Sequence, residues 1–235
     1  MPSRWCEVSK LRREQIESGL DITFNEVFKP IFLEKIITIS PKNIIEIGAG
    51  TGHLSKELSK LLYKVTAIEP SHGMFQIAED VLIDSGVKLL HCTSFALEVS
   101  EKYDLAFSHL VAHVVDDLVE FFSSISLHLD SDSYFIFSIP HPCFYNDYKK
   151  LFGVEYNYMK PTKKNISFKI TKDQKNEISG VPYYHRPLSN YINSLVATGF
   201  KIESFDEIYP NEEIQMLYGA IWDYPRYCLF SCRKL

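Results

Sequence analysis

Three glycines stand two residues apart in Gly48-Ala49-Gly50-Thr51-Gly52, directly behind Ile44-Ile45-Glu46-Ile47. A second carboxylate, Glu69, ends the apolar run Val65-Thr66-Ala67-Ile68, 21 residues after Gly48. Glycine accepts positive φ and lets backbone N–H groups approach a ligand with no Cβ between them. A strand, a glycine loop and a helix at the carboxyl edge of a parallel sheet is where α/β folds receive nucleotide-like ligands. At the end of the second strand, Glu69 can accept from both hydroxyls of a ribose. The dinucleotide fingerprint G-x-G-x-x-G needs its third glycine at position 53, and that residue is His53. Glu46, at the mouth of the loop, repels a diphosphate and favours a ligand with a cationic amine. The bland alternative is a glycine turn that only packs.

Histidines supply the other candidate chemistry. His141 stands between Pro140 and Pro142, which fix its backbone, and His185-Arg186 precedes an amphipathic run. His109 and His113 follow the run Leu105-Ala106-Phe107-Ser108. His141, His113 and His185 are the candidate general bases. Arg186 is a candidate bidentate clamp for a carboxylate or phosphate, with a structural ion pair as its alternative. Tyr145 and Tyr183 join it as candidate contacts to a substrate. His53 and His72 open predicted helices, and His91 and His128 lie on a predicted strand and helix; for these the structural reading is preferred. Cys228 and Cys232 share one face of a predicted strand with no companion ligand, so no metal site is expected.

The elements that must position these groups alternate. Phe24, Val27, Phe28, Ile31, Phe32 and Ile36 predict one or two helices within residues 1–40, with Pro30 interrupting or starting a turn. Strands are predicted at Ile44–Ile47, Val65–Ile68, Val87–Leu90, Leu105–Phe107 and Tyr134–Phe137. Between them lie the helical stripes Leu54/Leu58/Leu61/Leu62, Met74/Ile77/Ala78/Val81/Leu82 (with Ser71 as N-cap) and Leu118/Phe122/Ile125/Leu129. This alternation predicts a parallel α/β sheet with crossover helices. Beyond Pro140 the periodicity stops. Residues 141–181 read as a long covering loop or lid, with Ile166–Ile170 as a candidate hairpin strand. A last helix is expected from Pro187 to Gly199, then strands near Phe200–Ile208 and Tyr227–Cys232.

Composition narrows the function. The 235 residues are enough for one domain with a sizeable core, and a net charge of −5 argues against binding nucleic acid through bulk charge. The eight lysines between Lys149 and Lys175 give that stretch +6 against Glu155 and Asp173, leaving −11 elsewhere. This stretch is either a solvated surface or a field that focuses an anionic acceptor. No apolar run is long enough to span a membrane, and Met1-Pro2-Ser3-Arg4-Trp5-Cys6 lacks the apolar stretch of a secretory signal. Five scattered cysteines argue for free thiols and a cytoplasmic setting.

Ile44 to Gly52 resembles the first motif of the class I S-adenosylmethionine-dependent methyltransferases. Ala67-Ile68-Glu69-Pro70-Ser71 resembles their second motif, and Tyr103–Ser108 their fourth strand. The resemblance covers roughly residues 40–140 and the final helix and strands. It implies an α/β, Rossmann-like, seven-stranded and mostly parallel sheet with an antiparallel last strand and helices on both faces. Added to it are a helical N-terminus and a lid insertion. The expected layout is one domain over 1–235: a helical cover (1–40), the cofactor-binding core (41–140), a lid and acceptor insertion (141–186), and the last helix and strands (187–235).

The resemblance also implies S-adenosylmethionine as cofactor. Gly48, Ala49, Gly50 and Gly52 would cradle its amino-acid end, with Glu46 near the ammonium. Glu69 would hold the ribose, and Pro70, Ser71 and Met74 would flank the adenine. Thr93, Ser94 and Phe95 would take the other adenine edge, where the family often has an Asp. Ser108, His109 and Leu110 would lie along the methionine portion, with His141 beside the reactive end. The implied reaction is in-line attack on the methyl by a small-molecule acceptor, through a hydroxyl or a carboxylate oxygen. Neither a nucleic acid nor a membrane is an expected partner, and the oligomeric state stays open. Two other readings are a non-catalytic methyltransferase-like binding subunit and a nicotinamide-dependent oxidoreductase.

Overall fold

The computed structural model describes residues 4–99, 101–154 and 156–235. Met1, Pro2 and Ser3 of the chain-start reading, and Glu155 of the lysine-rich stretch, lie outside the described residues. Nine strands and eight α-helices are described: α1 (Arg4–Glu17), α2 (Lys29–Ile39), β1 (Asn43–Ile47), α3 (His53–Lys60), β2 (Lys64–Ile68), α4 (His72–Val81), β3 (Lys88–Leu90), β4 (Tyr103–His109), α5 (Leu118–Leu127), β5 (Leu129–Pro140), α6 (Tyr145–Lys149), β6 (Thr162–Ile170), β7 (Asp173–His185), α7 (Leu188–Ala197), β8 (Phe200–Ile208), α8 (Glu212–Leu217) and β9 (Tyr227–Lys234).

Seven strands form one sheet in the order β3-β2-β1-β4-β5-β9-β8. β1, β2, β3, β4 and β5 pair in parallel, while β9 lies antiparallel between β5 and β8. The expected sheet is therefore observed, with the last strand inserted. The reason is visible in β1, where consecutive apolar residues serve opposite faces. Ile44 packs with Leu54, Leu58, Val65 and Phe107 on one side. Ile45 and Ile47 pack with Phe122, Ile125, Phe135 and Phe137 on the other.

The N-terminal segment is richer than its periodicity suggested. A π-helical turn, Thr23–Phe28, joins directly onto α2, and Pro30 sits in the first turn of α2, so it starts the helix without breaking it. Phe28, Phe32 and Ile36 are fully buried against the sheet. Each contributes about 1.5–3 kcal/mol by burial. α1 packs on α4 and against β7.

The loop expected over residues 141–181 is largely ordered, and the hairpin strand expected at Ile166–Ile170 lies within β6. α6 and the antiparallel hairpin β6–β7 order most of the segment, pairing Thr162 with His185 and Ile166 with Val181. Two irregularities in the hairpin register, around Phe168, hide the period-two pattern from the sequence. Pro187 is the N-cap of α7, one residue earlier than its expected role. Among the described residues, no helix is long and apolar enough to cross a membrane.

Candidate active site

A cavity of about 370 Å³ opens at the carboxyl edge of the sheet. That size falls within the ordinary range for small-ligand sites, about 300–1,000 Å³. One end is formed by the loop after β1 (Gly48, Ala49, Gly50, Thr51) with Glu46, and by Glu69, Pro70, Ser71 and Met74 around the start of α4. The other end is closed by Tyr145 and Tyr148 of α6, Phe168 of β6, Tyr183 of β7 and Tyr227 of β9. His109, Leu110, Val111 and His113 lie along it after β4.

The glycine loop is shaped by its neighbours. Gly48 has φ +73°, and a Cβ there would come 2.6 Å from Val111 Cγ2, so the two loops close on each other only without a side chain. Gly50 has φ +56°, but a Cβ would meet no protein atom within 4 Å. Packing therefore does not demand glycine at 50; its left-handed backbone favours glycine, and the residue lines the open cavity. Gly52, the N-cap of α3, instead packs near Leu82 and Ala78 and does not line the cavity.

Glu69 is 6% exposed and accepts two backbone N–H bonds of 2.7 Å, from Gly50 at Oε2 and from Ser71 at Oε1. Burial raises its pKa against these two bonds. Glu46 is 2% exposed, and its Oε2 accepts from Ser55 Oγ. Burial, with nearby Glu69 adding to it, pushes its pKa up to about 8 despite the Ser55 bond. Both carboxylates retain lone pairs for hydroxyl or ammonium donors. A cradle open at Gly50, flanked by two buried acids, fits a ribose-bearing ligand with a cationic amine.

Two histidines line the cavity after β4. His109 contacts the rings of Phe24, Phe28 and Phe32, and its Nδ1 is 2.8 Å from Ser138 Oγ. His113 lies 5.4 Å from the ring of Tyr183, and its buried Nδ1 has no hydrogen-bond partner. Burial pushes both pKa values down to about 3, so both imidazoles are neutral.

Several sequence candidates are placed elsewhere. His141 is 1% exposed and sits outside the cavity wall. Its Nδ1 accepts the Cys143 N–H at 3.2 Å, which puts the proton on Nε2, and Nε2 donates to Glu207 at 3.1 Å. Both nitrogens are thus engaged, which corrects the expectation of a base there. His185 also lies outside the cavity wall, with Nε2 bonded at 2.9 Å to the Tyr158 carbonyl among Phe152, Tyr156 and Tyr158. Arg186 is no substrate clamp: it donates to the Val115 and Asp116 carbonyls and stacks on Tyr184.

Ser94 bonds Ser124, Thr93 bonds the Ala96 N–H, Phe95 is exposed, and Ser108 donates to the Ile47 carbonyl; none lines the cavity. The sequence reading missed Trp5, Arg12, Asp21, Thr23 and Phe24 from the N-terminal segment, which do line it. Arg12 pairs with Asp21, whose Oδ1 accepts the Phe24 N–H at 3.0 Å. An acid and a base nine residues apart carry no motif.

Residues 45–137 match a family described as a methyltransferase domain. The chain is 29% identical over 111 residues to the malonyl-[acyl-carrier protein] O-methyltransferase of Bacillus cereus, covering 46% of this chain and 41% of that one. Across the curated relatives it matches, the chain spans 10% to 53% of their length. An S-adenosylmethionine-dependent methyltransferase from Clostridium acetobutylicum superposes with a TM-score of 0.67 at 15% identity, over 97% of this chain and 98% of that one. One from Mesorhizobium loti gives a TM-score of 0.66 at 22% identity, over 86% and 96%. Residues 45–137 thus match a methyltransferase domain, and the chain as a whole has the fold of the S-adenosylmethionine-dependent methyltransferases on which it superposes.

Proposed function

We propose that this protein moves the methyl group of S-adenosylmethionine to a hydroxyl of a small molecule enclosed between α6, the hairpin and the N-terminal segment. One observation carries the reading: a single cavity runs from the Gly48–Thr51 loop and Glu69 to His113, whose Nδ1 is buried without a partner. At the first end, Glu69 holds the ribose hydroxyls, Glu46 faces the ammonium, and Pro70, Ser71 and Met74 flank the adenine. His109 and Leu110 lie along the methionine portion, with Tyr145 and Tyr183 against the acceptor.

The sulfonium is already activated, so this chain's residues mainly align the acceptor and exclude water. Bound at the glycine loop, S-adenosylmethionine would supply the methyl group to an acceptor oxygen aligned behind it, with S-adenosylhomocysteine as leaving group. The proton of that oxygen passes to His113 Nδ1 as the new bond forms. The oxygen, once methylated, is far more acidic than an imidazolium, even one with a pKa of about 3. His113 is therefore competent as base without being charged beforehand.

Calorimetric titration with S-adenosylmethionine and with NAD tests the cofactor. A screen of small hydroxylated metabolites, read by release of S-adenosylhomocysteine, tests the acceptor. Binding of NAD in preference to S-adenosylmethionine overturns the reading, as does cofactor binding with no hydroxylated acceptor turned over.

A further inference from the structure

The cavity has two electrostatic ends. Its lining acids are Glu46 and Glu69 on the glycine-loop side, and Asp21, which Arg12 neutralises. On the α6 and hairpin side, Lys149 and Lys169 line it, and neither of those elements contributes an acid to the wall. Lys149 Nζ donates to the Lys169 carbonyl at 3.0 Å and stands 4.6 Å from the Tyr148 ring centre. The Arg226 guanidinium lies 4.0 Å from that same ring and 4.0 Å from the ring of Trp222. Lys35 and Lys64 each meet a carboxylate. Among the described residues, no carboxylate lies within 4.0 Å of the side-chain nitrogens of Lys149, Lys169 or Arg226. Lys149 and Arg226 flank one tyrosine ring, and together with Lys169 they make this end cationic, which attracts an anion. The cofactor brings its ammonium and sulfonium to the acidic end, so the basic end is left for the acceptor.

We propose that the acceptor carries an oxyanion, a carboxylate or a phosphate, which docks at Lys149 and Lys169, with Arg226 against Tyr148 adding to the field, while its hydroxyl turns inward toward His113. Phe168, Tyr145, Tyr183 and Tyr227 favour an aromatic body between the two groups. This inference rests on the methyl-transfer reading above and names the substrate class of the same site.

The test uses the full chain saturated with S-adenosylhomocysteine and three probes sharing one ring: 4-hydroxybenzoate, 4-hydroxyphenyl phosphate and 4-hydroxybenzamide. Calorimetry at low salt is expected to give at least one anion about tenfold or more tighter binding than the neutral amide. Which anion binds tells carboxylate from phosphate. Lys149→Gln with Lys169→Gln is expected to erase the preference, and Arg226→Gln to reduce it, with S-adenosylhomocysteine affinity and circular dichroism unchanged. Equal behaviour of all three probes, including no binding by any, overturns the proposal. So does a preference that survives the substitutions. Failure of S-adenosylhomocysteine to bind speaks against the methyl-transfer reading instead, and the probe preference is then read on the protein alone.

Discussion

Glu69 accepts the backbone N–H of Gly50 at 2.7 Å, tying the tip of the glycine loop to the end of β2. Its other oxygen takes the Ser71 N–H at the start of α4. One side chain thus fixes both turns that frame the cofactor end and still has lone pairs for a ribose. Hydrogen bonds to a charged group contribute about 1.5–3 kcal/mol each. Glu69→Ala is therefore expected to weaken S-adenosylmethionine binding by roughly tenfold to a hundredfold. Calorimetry on a variant with native circular dichroism measures this, and unchanged affinity removes Glu69 from the site.

Gly50→Val places a branched side chain where no protein atom lies within 4 Å and where φ is +56°. Cofactor binding is expected to be lost, with a folding cost of about 1–2 kcal/mol from the left-handed backbone. A folded variant that binds normally would mean the cavity is not the cofactor's path.

The glycine-loop half of the cavity was legible because it is local. Gly48, Gly50 and Glu69 belong to two adjacent strand–helix turns, whose spacing follows from the crossover that joins parallel strands. The acceptor half is assembled from distant segments. Asp21, Phe168 and Tyr227 join the candidates His113 and Tyr145 only after the sheet and the hairpin form, so no spacing announced those three. His141 misled for a physical reason: two flanking prolines mark a rigid corner, and rigidity serves packing as readily as catalysis. The β6–β7 hairpin was half-read because its register shifts around Phe168 break the alternation that identifies a strand.

Glu46 predicts a pH dependence. Its folded pKa, about 8, stands above the ordinary 4.5 because burial disfavours the charge. The folded protein thus binds more protons at this site than the unfolded chain between those two values. The stability it contributes is fully present below about pH 4.5 and is lost as pH rises through about 8. Thermal unfolding without cofactor is expected to fall across pH 5.5–8, roughly a few kcal/mol in all, and to flatten in Glu46→Gln. A cationic amine placed beside Glu46 favours its ionised form, so cofactor binding at pH 7 should release a proton. Calorimetry in buffers of different ionisation enthalpy reads that proton directly, and an enthalpy independent of buffer argues against the pairing.

His113 and His141 separate by what each variant damages. His113→Gln keeps most of the side-chain volume but lacks a basic nitrogen, and is expected to lower turnover by about 10²–10⁴ with cofactor affinity retained. Because burial holds the His113 pKa at about 3, the wild-type rate should show no histidine limb between pH 5 and 8. His141→Ala, in contrast, strands the Cys143 N–H and opens a space under Phe144 and Phe205. It is expected to cost about 1–3 kcal/mol of stability and leave the per-molecule turnover of the folded fraction near wild type. Paired denaturation curves and active-site-normalised rates distinguish the two. A wild-type limb near pH 6–7 that disappears in His141→Ala, with His113→Gln fully active, would return the base to the corner after β5.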